Sequence, residues 1–211
     1  MAIEPAVIDI WQSSVSEAQT FSVVPDGCRD VILTTTEQGA CSVHVSPLYA
    51  NTLNVQMTPG MTMLGYRLAP GAFIDESRLI CALTESSQDI EDKVGVYTHI
   101  CPDISEILES IRHHQGRASL LAVKLGVSER TLQRHLTRHT GISPVFWMQL
   151  TRVRQSAKSI GSGCPLVDVA CDWGYSDQAH LTREIKRWFG VTPGELKVRQ
   201  DLLSQLHSPG Y

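Results

Sequence analysis

The sequence predicts an α+β protein, in which a small N-terminal antiparallel β-rich domain precedes an all-α domain of two similar helical lobes joined by a long helix. Three observations predict this arrangement: alternating apolar strands before residue 70, repeated helix signals in the second half, and a division of charge. Residues 1–116 hold 5 Lys/Arg and 15 Asp/Glu, whereas residues 117–199 hold 13 and 6. An acidic half therefore precedes a basic half, although the overall net charge is only −4.

Short apolar segments separated by Gly, Pro and Asn occupy the first seventy residues. Such segments, with turn residues between them, predict a small antiparallel sheet, sandwich or partial barrel. The predicted strands span residues 21–24, 30–34, 41–45, 52–57 and 61–68. From residue 74 to about residue 90 the pattern becomes mixed or helical, and Pro102 then begins a helix. We therefore place the domain boundary between Asp92 and Cys101.

The second half contains the same helix-start and helix-end signals twice, 48 or 49 residues apart. The shared residues are Gly126, Ser128, Leu132, Arg134 and Gly141 in the first copy, and Gly174, Ser176, Leu181, Arg183 and Gly190 in the second. A repeat of this length indicates a duplicated supersecondary unit. In each copy a short helix, a tight turn and a second helix are predicted, with Ser128 capping the second helix of copy one and Ser176 or Asp177 that of copy two. The predicted motifs span about residues 119–140 and 166–189, joined by a helix over residues 145–160.

The second helix of each copy has one apolar face and one basic face. In the first copy Leu132 and Leu136 lie four residues apart and face inward, which turns Arg130, Gln133 and Arg134 outward. Arg pairs in a bidentate manner with guanine, and Gln pairs with adenine. The connecting helix of roughly 24 Å and its flanking lobes can hold the two second helices about one DNA turn, ~34 Å, apart. The duplicated unit therefore predicts a reader of two adjacent DNA grooves.

These residues resemble the AraC/XylS family of bacterial transcription regulators over about residues 102–198. The matching positions are Ala122, Gly126, Ser128, Leu132, Arg134 and Gly141 in copy one, and Ala170, Gly174, Ser176, Leu181, Arg183, Phe189, Gly190, Thr192, Pro193 and Glu195 in copy two. The departures from the family pattern are Leu136, where Phe is more usual, and the segment 171–173. The resemblance implies two helix-turn-helix lobes joined by a long helix, within a DNA-binding domain spanning residues 102–200 and followed by a tail at 201–211.

The resemblance also implies which side chains contact DNA. Base contacts are expected from Arg130, Gln133, Arg134, Gln178, Ala179, His180 and Arg183. Phosphate contacts are expected from Ser128, Thr131, Arg138, Ser176, Lys186 and Arg187. The expected partners are double-stranded promoter or operator DNA, RNA polymerase, a small-molecule effector and, by analogy with repeated operators in the family, a second copy of the chain.

The acidic domain, residues 1–95, is expected to serve in regulation, effector binding or dimerisation. Two segments stand out in it, residues 25–30 before a strand and residues 65–73, and both are similar to a short N-terminal domain of some regulators in this family. One interpretation is structural, because Pro-Asp-Gly and Pro-Gly are turn sequences. The other is an effector pocket that involves Arg29, Tyr66 and Arg67. The sequence leaves both interpretations open.

Other classes of function have little support in the sequence. It has no nucleophile elbow, phosphate loop, dinucleotide fingerprint or metal-binding motif, so we expect no enzymatic activity, no cofactor and no metal. No apolar run approaches the ~20 residues that cross a bilayer, and no basic region followed by an apolar core begins the chain. We therefore expect a cytoplasmic protein that does not bind membranes.

Three alternatives to an effector-controlled regulator remain. Cys28 follows a turn and is the candidate for a thiol-based sensor of oxidants or electrophiles, although Asp26 and Asp30 oppose the charge of Arg29. A DNA alkylation-repair regulator would need four closely arranged cysteines around zinc, and the six cysteines here are scattered without a C-x-x-C pair. A purely architectural DNA protein fits less well, because outward Arg and Gln suit sequence readout.

Overall fold

The computed structural model describes residues 6–86, 88–113, 126 and 128–211. Its N-terminal half contains β1 (Val7–Ser14), β2 (Gln19–Val23), β3 (Arg29–Thr35), β4 (Cys41–Val45), β5 (Leu53–Met57), β6 (Thr62–Leu68), β7 (Phe73–Ile74) and β8 (Thr98–His99), with α1 (Glu76–Glu85) and α2 (Ile90–Tyr97). Strands β1, β6, β3 and β4 form one antiparallel sheet in that order, and β2 pairs with β5. The short β7 pairs with β8. The predicted β-rich N-terminal domain is confirmed.

The two faces of the four-stranded sheet have different surroundings. Val31, Tyr66 and Leu68 lie on one face, in an apolar cluster with Leu79 of α1 and Val94 of α2. The neighbouring strand residues point to the opposite face because side chains alternate along a strand. That second face lies toward the β2–β5 pair, and a cavity separates them. One face of the sheet therefore packs in the core of the domain, and the other face lines the cavity.

All five predicted strands are present, but β1 was not predicted. Its inward positions include the polar residues Asp9 and Ser13, whereas Ile8 and Ile10 point outward and are 40% and 45% exposed. The usual pattern of apolar residues inside and polar residues outside is thus reversed along this strand. Because sequence patterns detect a half-buried strand through that alternation, β1 gave no clear signal.

The C-terminal half is helical. Its helices are α3 (Pro102–His113), α4 (Glu129–Thr140), α5 (Pro144–Gly161), α6 (Leu166–Asp172), α7 (Gln178–Phe189), α8 (Pro193–Leu196) and α9 (Gln200–Gln205). The long connecting helix α5 lies in the centre of the core, where Trp147, Leu150 and Ile160 are fully buried. The first helix of copy one, predicted over residues 119–124, lies outside the described residues, as does Ala122. The all-α second domain and its α5 connection agree with the predicted fold class.

Matching caps define the boundaries of α4 and α7. Ser128 Oγ accepts a hydrogen bond from the Thr131 amide at 3.1 Å, and Asp177 Oδ1 accepts one from the His180 amide at 2.6 Å. Of the two candidates for the second cap, the structure therefore selects Asp177. Both helices end at a glycine in the left-handed region, Gly141 at φ 71° and Gly190 at φ 73°. Glycine tolerates this conformation without the steric cost that a Cβ brings.

The chain after α8 returns to the N-terminal domain. We call residues 200–211, which comprise α9 and the last six residues, the C-terminal segment. Leu202, Leu206 and Tyr211 from this segment are buried in the helical core, together with Val24 from the β-rich domain. The segment expected as a tail therefore packs between the two halves of the molecule. Among the described residues, no helix combines the length and apolar character needed to span a membrane.

Candidate nucleic-acid interface and N-terminal cavity

The first candidate reading helix, α4, presents polar side chains to solvent. Leu132 and Leu136 are buried in the core, and Arg130, Gln133 and Arg134 are exposed on the opposite face. Within the described part of the chain, the side chains of these three exposed residues have no hydrogen bond or ion pair. They can therefore contact an external partner without breaking a bond to another described residue.

The second candidate reading helix, α7, has the same apolar frame but a different outer surface. Leu181, Ile185, Trp188 and Phe189 are buried. Gln178, Ala179 and Arg183 are exposed. Half-buried His180 accepts a hydrogen bond from the Ser176 amide through Nδ1 at 3.4 Å, and its ring packs edge-on against Tyr175 with centroids 5.2 Å apart. The two helices share a scaffold, but α7 has one outward residue committed to its own turn.

The candidate phosphate-contacting residues flank both helices. Ser128 and Thr131 lie at the start of α4, where their hydroxyls are 2.9 Å apart, and Arg138 is exposed in the last turn. Lys186 and Arg187 are exposed in the last turn of α7.

Arg187 already has local partners. Its Nη1 lies 3.4 Å from Glu184 Oε1, and its guanidinium carbon lies 5.4 Å from the centroid of the Trp188 ring. Arg138 has no such partner among the described residues. The free positive charge at the end of α7 is therefore smaller than a count of its basic residues suggests.

A cavity of about 350 Å³ lies between the four-stranded sheet and the β2–β5 pair. Its apolar wall includes Phe21, Val55, Met57 and Met63. The polar residues at its lining include Asp9, Ser13, Ser22, Asp26, Asp30, Ser46, Tyr49, Arg67, Gln205 and Ser208. A largely apolar concave space with a few polar groups is the usual form of a small-molecule site.

Arg67 lies at the centre of the polar side of this cavity. On β6 it is the register partner of Asp9 on β1 and of Asp30 on β3. Its Nε lies 3.3 Å from Asp30 Oδ1, and its Nη1 lies 3.3 Å from Asp26 Oδ2. The same Asp30 oxygen accepts a 2.8 Å hydrogen bond from the indole of Trp11. Arg67 therefore joins two strands and a turn through charge-assisted bonds.

Gly65 makes room for the Trp11 ring. A Cβ at Gly65 would lie 2.0 Å from Trp11 Cε2, a distance that no side chain can adopt. Glycine inside a strand often marks such a close approach. This glycine was available as a sequence signal for the cavity wall, but Trp11, Asp26, Asp30 and Gln205 were not among the predicted pocket residues.

The three residues predicted for an effector pocket are separated by the sheet. Arg67 lines the cavity, whereas Tyr66 points to the opposite face and is 7% exposed in the core against α1 and α2. Arg29 also lies away from the cavity, where its Nη2 is 2.9 Å from Glu76 Oε2. Adjacent strand residues point to opposite faces, so the pair Tyr66 and Arg67 cannot share one pocket.

Cys28 lies in the turn that precedes β3 and is 4% exposed. Burial, with Asp26 nearby, raises the pKa of its thiol well above the ordinary value. Reactive cysteines have a lowered pKa and are accessible to solvent. Both properties of Cys28 therefore disfavour thiolate chemistry in this arrangement.

A family model described as a helix-turn-helix domain matches residues 121–199. The HTH-type transcriptional regulator VirS of Mycobacterium tuberculosis strain H37Rv is 34% identical over 85 residues, which cover 40% of this chain and 25% of VirS. The chain thus spans about a quarter of the length of this curated relative. The probable transcription factor PqrA of Proteus vulgaris is 28% identical over 102 residues, which cover 47% of this chain and 84% of PqrA.

Among solved structures, ToxT from Vibrio cholerae O395 aligns over 98% of both chains, with a TM-score of 0.42 and 12% identity. A TM-score of this size supports no conclusion about function. The sequence matches, by contrast, coincide with the duplicated frame of α4 and α7 and with their caps. Over residues 121–199 the chain is therefore similar to the helix-turn-helix domains of transcription regulators, in agreement with the resemblance to the AraC/XylS family.

Proposed function

We propose that this protein is a sequence-specific transcription regulator, in which α4 and α7 enter adjacent major grooves of promoter DNA. The observation that carries the proposal is the pair of equally capped helices with Arg134 and Arg183 at matching exposed positions. A recognition helix in the major groove reads base edges with outward side chains near its N-terminal end. The basic balance of residues 117–199 adds attraction to phosphate that is independent of sequence.

The proposed base readers are Arg130, Gln133 and Arg134 in α4, and Gln178, Ala179, His180 and Arg183 in α7. The arginines suit guanine, the glutamines suit adenine, and Ala179 can contact a thymine methyl. The proposed phosphate contacts are Ser128, Thr131, Arg138, Ser176, Lys186 and Arg187. These contacts position the helices and carry no sequence information directly.

We further propose that a small molecule controls the regulator by binding in the N-terminal cavity. The volume of about 350 Å³ supports this, as does the mixture of apolar walls with Arg67, Asp30 and Tyr49. A hydrogen bond of 2.8 Å from the Thr52 amide to the Trp188 carbonyl supports communication with DNA, because Thr52 precedes β5 and Trp188 lies in α7. The effector site would then lie one strand away from a reading helix.

RNA polymerase and a second copy of the chain are the proposed protein partners. β1 is an edge strand, and edge strands present unpaired backbone groups to other chains. Ile8 and Ile10 on this strand and Val96 of α2 are exposed beside one another around a shallow surface. A dimer through this edge predicts a concentration-dependent sedimentation coefficient that Ile10→Lys abolishes. A monomeric wild-type protein at high micromolar concentration would contradict the dimer.

Selection from a pool of randomised duplexes tests DNA recognition by the full chain. We expect enrichment of a site with two conserved blocks about one helical turn apart. Arg134→Ala should relax one base pair and weaken binding to the selected duplex by ~1–3 kcal/mol.

Arg78→Ala is the matched control, because Arg78 is an exposed arginine on α1 of the N-terminal domain and its side chain lies 3.6 Å from Asp75, three residues before it in the chain. It should leave both the selected sequence and the affinity unchanged. Absence of any enriched sequence with the folded wild-type chain would contradict the proposed function.

A further inference from the structure

We propose that the C-terminal segment, residues 200–211, is a latch that connects the N-terminal cavity to the DNA-binding domain, with Arg67 as the residue that links cavity occupancy to the latch. The proposal rests on the proposed effector control and adds how that control reaches the helices. It follows from hydrogen bonds between residues that are up to 183 positions apart in the chain.

The first part of the segment forms hydrogen bonds with the end of β2 and contributes to the lining of the cavity. The Gln205 side chain accepts a hydrogen bond from the Val24 amide at 3.1 Å and donates one to the Ser22 carbonyl at 2.8 Å. Gln205 and Ser208 also line the cavity beside the strand residues. The C-terminal segment therefore forms one part of the cavity lining, and residues of the N-terminal domain form the rest.

The end of the segment fills the joint between the two domains. The Tyr211 amide donates a 2.7 Å hydrogen bond to the Asp26 carbonyl, and the Tyr211 hydroxyl donates one at 3.0 Å to the Leu108 carbonyl in α3. A Cβ added at Gly27 would lie 2.7 Å from Tyr211 Cβ and 2.9 Å from Trp147 Cζ3. The turn before β3, the last residue of the chain and helix α5 are thus in direct contact.

Helix α5 contributes a buried arginine to the same joint. Arg154, 3% exposed, donates from Nη1 to the Pro25 carbonyl at 2.8 Å. Its Nη2 lies 3.4 Å from the Gln205 carbonyl and 3.3 Å from the Leu206 carbonyl. One side chain of the helix that connects both DNA-binding lobes therefore bonds to the N-terminal turn and to the C-terminal segment. Displacement of the segment would leave this buried charge without part of its hydrogen bonding, which is costly.

Arg67 connects the cavity to this joint. In addition to its contacts with Asp26 and Asp30, its Nη1 lies 3.4 Å from the Pro209 carbonyl in the C-terminal segment. A molecule in the cavity that accepts hydrogen bonds from Arg67 competes with Pro209 and Asp26 for the same guanidinium. Occupancy then weakens the latch, and the freed segment changes the placement of α5 and of both lobes. The structure contains the docked state of this latch, and the released state is the second state that a coupling element requires.

Cys28 provides a direct reporter for release of the segment. A Cβ added at Gly210 would lie 3.5 Å from Cys28 Sγ, so the docked segment covers the thiol. The full chain is pulsed with N-ethylmaleimide, and labelling of Cys28 is measured by peptide mass spectrometry relative to exposed Cys41 in the same molecule. We expect Gln205→Ala and Arg67→Met each to accelerate Cys28 labelling about 10-fold or more, as loss of one or two hydrogen bonds shifts a local opening equilibrium.

Matched variants control for the substitutions themselves. Gln200→Ala changes the same residue type on the same helix at an exposed position, and Arg78→Met removes the same charge elsewhere in the N-terminal domain. Both should label at the wild-type rate. If Arg67→Met fails to fold, the Cys28 labelling rate of Gln205→Ala alone tests the latch. We expect Gln205→Ala to fold, because the Gln205 side chain is only half-buried. A Cys28 rate within about twofold of wild type in Gln205→Ala would overturn the latch.

The connection to the cavity is tested by the indole N–H signal of Trp11 in the NMR spectrum of ¹⁵N-labelled protein. Gln205→Ala should shift this signal and Gln200→Ala should not, because only Gln205 lines the same cavity as Trp11. An unmoved Trp11 signal together with faster Cys28 labelling would overturn the link between segment and cavity.

The DNA affinity of the same variants is measured with the duplex that the wild-type chain selects. Gln205→Ala and Arg67→Met should change this affinity in the same direction by at least about threefold. Unchanged DNA affinity in variants with released segments would overturn the connection to the helices. Failure of the wild-type chain to select any DNA would instead contradict the proposed function, and labelling and NMR would still decide whether the segment and the cavity are coupled.

Discussion

Helices α4 and α7 begin and end with the same signals but present different surfaces. Each has a side-chain cap, a buried leucine at the matching position and a glycine in the left-handed region at its end. On the outer face, Arg130 of α4 corresponds to Ala179 of α7, and His180 of α7 bonds to its own turn. The carbonyl of Trp188 near the end of α7 also accepts hydrogen bonds from Thr52 of the N-terminal domain.

The comparison shows which features of a duplicated unit stay the same in both copies and which features differ. The core face and the caps maintain the helix and its packing, so they remain alike in both copies. The outer face has no such constraint, so α4 has two outward arginines among its proposed base readers, whereas α7 has one and also contacts the regulatory domain. We infer that α4 contributes more to sequence discrimination and that α7 is closer to effector control.

The largest effect is expected where the two copies are alike. Leu132→Ala and Leu181→Ala each remove a buried leucine, with side chains 2% and 0% exposed. Each should lower the free energy of unfolding by ~2–5 kcal/mol, measured by urea denaturation. If one variant lowered the free energy of unfolding several times more than the other, the buried faces of the two lobes would not be equivalent.

A smaller effect is expected at the matching arginines. Arg134→Ala and Arg183→Ala should each weaken binding to the selected duplex by ~1–3 kcal/mol and relax discrimination at one base pair. The two base pairs should lie in different halves of the site, and fluorescence anisotropy with single-base-pair variants of the duplex measures this. An unchanged ranking of the duplexes after Arg134→Ala would remove Arg134 from the set of base readers.

The salt dependence of DNA binding should distinguish the last turns of the helices. Arg138→Ala is expected to reduce the slope of log K against log salt by ~1, because one phosphate contact is lost. Arg187→Ala should reduce it by less, since Glu184 already lies 3.4 Å from Arg187. Glu184→Gln serves as the control and should increase the slope. Equal reductions for Arg138→Ala and Arg187→Ala would argue against a role for this ion pair.

The smallest effect concerns the caps and their response to acid. The hydrogen bond from the His180 amide lowers the pKa of Asp177. Because the folded-state pKa is the lower one, the cap stabilises α7 above the unfolded pKa of about 3.9, and this contribution is lost as the pH falls through the folded value. Ser128 does not titrate, so acid should weaken the start of α7 and spare α4. The amide chemical shifts of Thr131 and His180 between pH 7 and 3 measure this, with Asp177→Ser as the variant that removes the difference.

Local signals in the sequence predicted much of the C-terminal domain. The caps, the terminal glycines and the leucine spacing depend on neighbours within a few residues, and they gave α4, α5 and α7 close to their observed bounds. Local patterns failed to predict β1, because Asp9 and Ser13 face the N-terminal cavity and reverse the usual alternation of apolar and polar residues.

The cavity and the joint depend on contacts that sequence patterns do not contain. Tyr66 and Arg67 were grouped in one pocket because they are adjacent in a short motif, yet alternation along β6 sends them to opposite faces. The C-terminal segment had no periodicity that predicts where it packs. Its position depends on Gln205 and Tyr211 meeting the turn near Asp26, across more than half of the chain.

The most direct test of unequal reading is a scan of the selected duplex, in which every base pair is replaced in turn and the affinity of the wild-type chain is measured. The relaxed positions in Arg134→Ala and Arg183→Ala identify which half of the site each helix contacts. The half read by α4 should contain more positions where a substitution costs at least ~1 kcal/mol than the half read by α7. Equal numbers in both halves, or more in the half read by α7, would contradict the account.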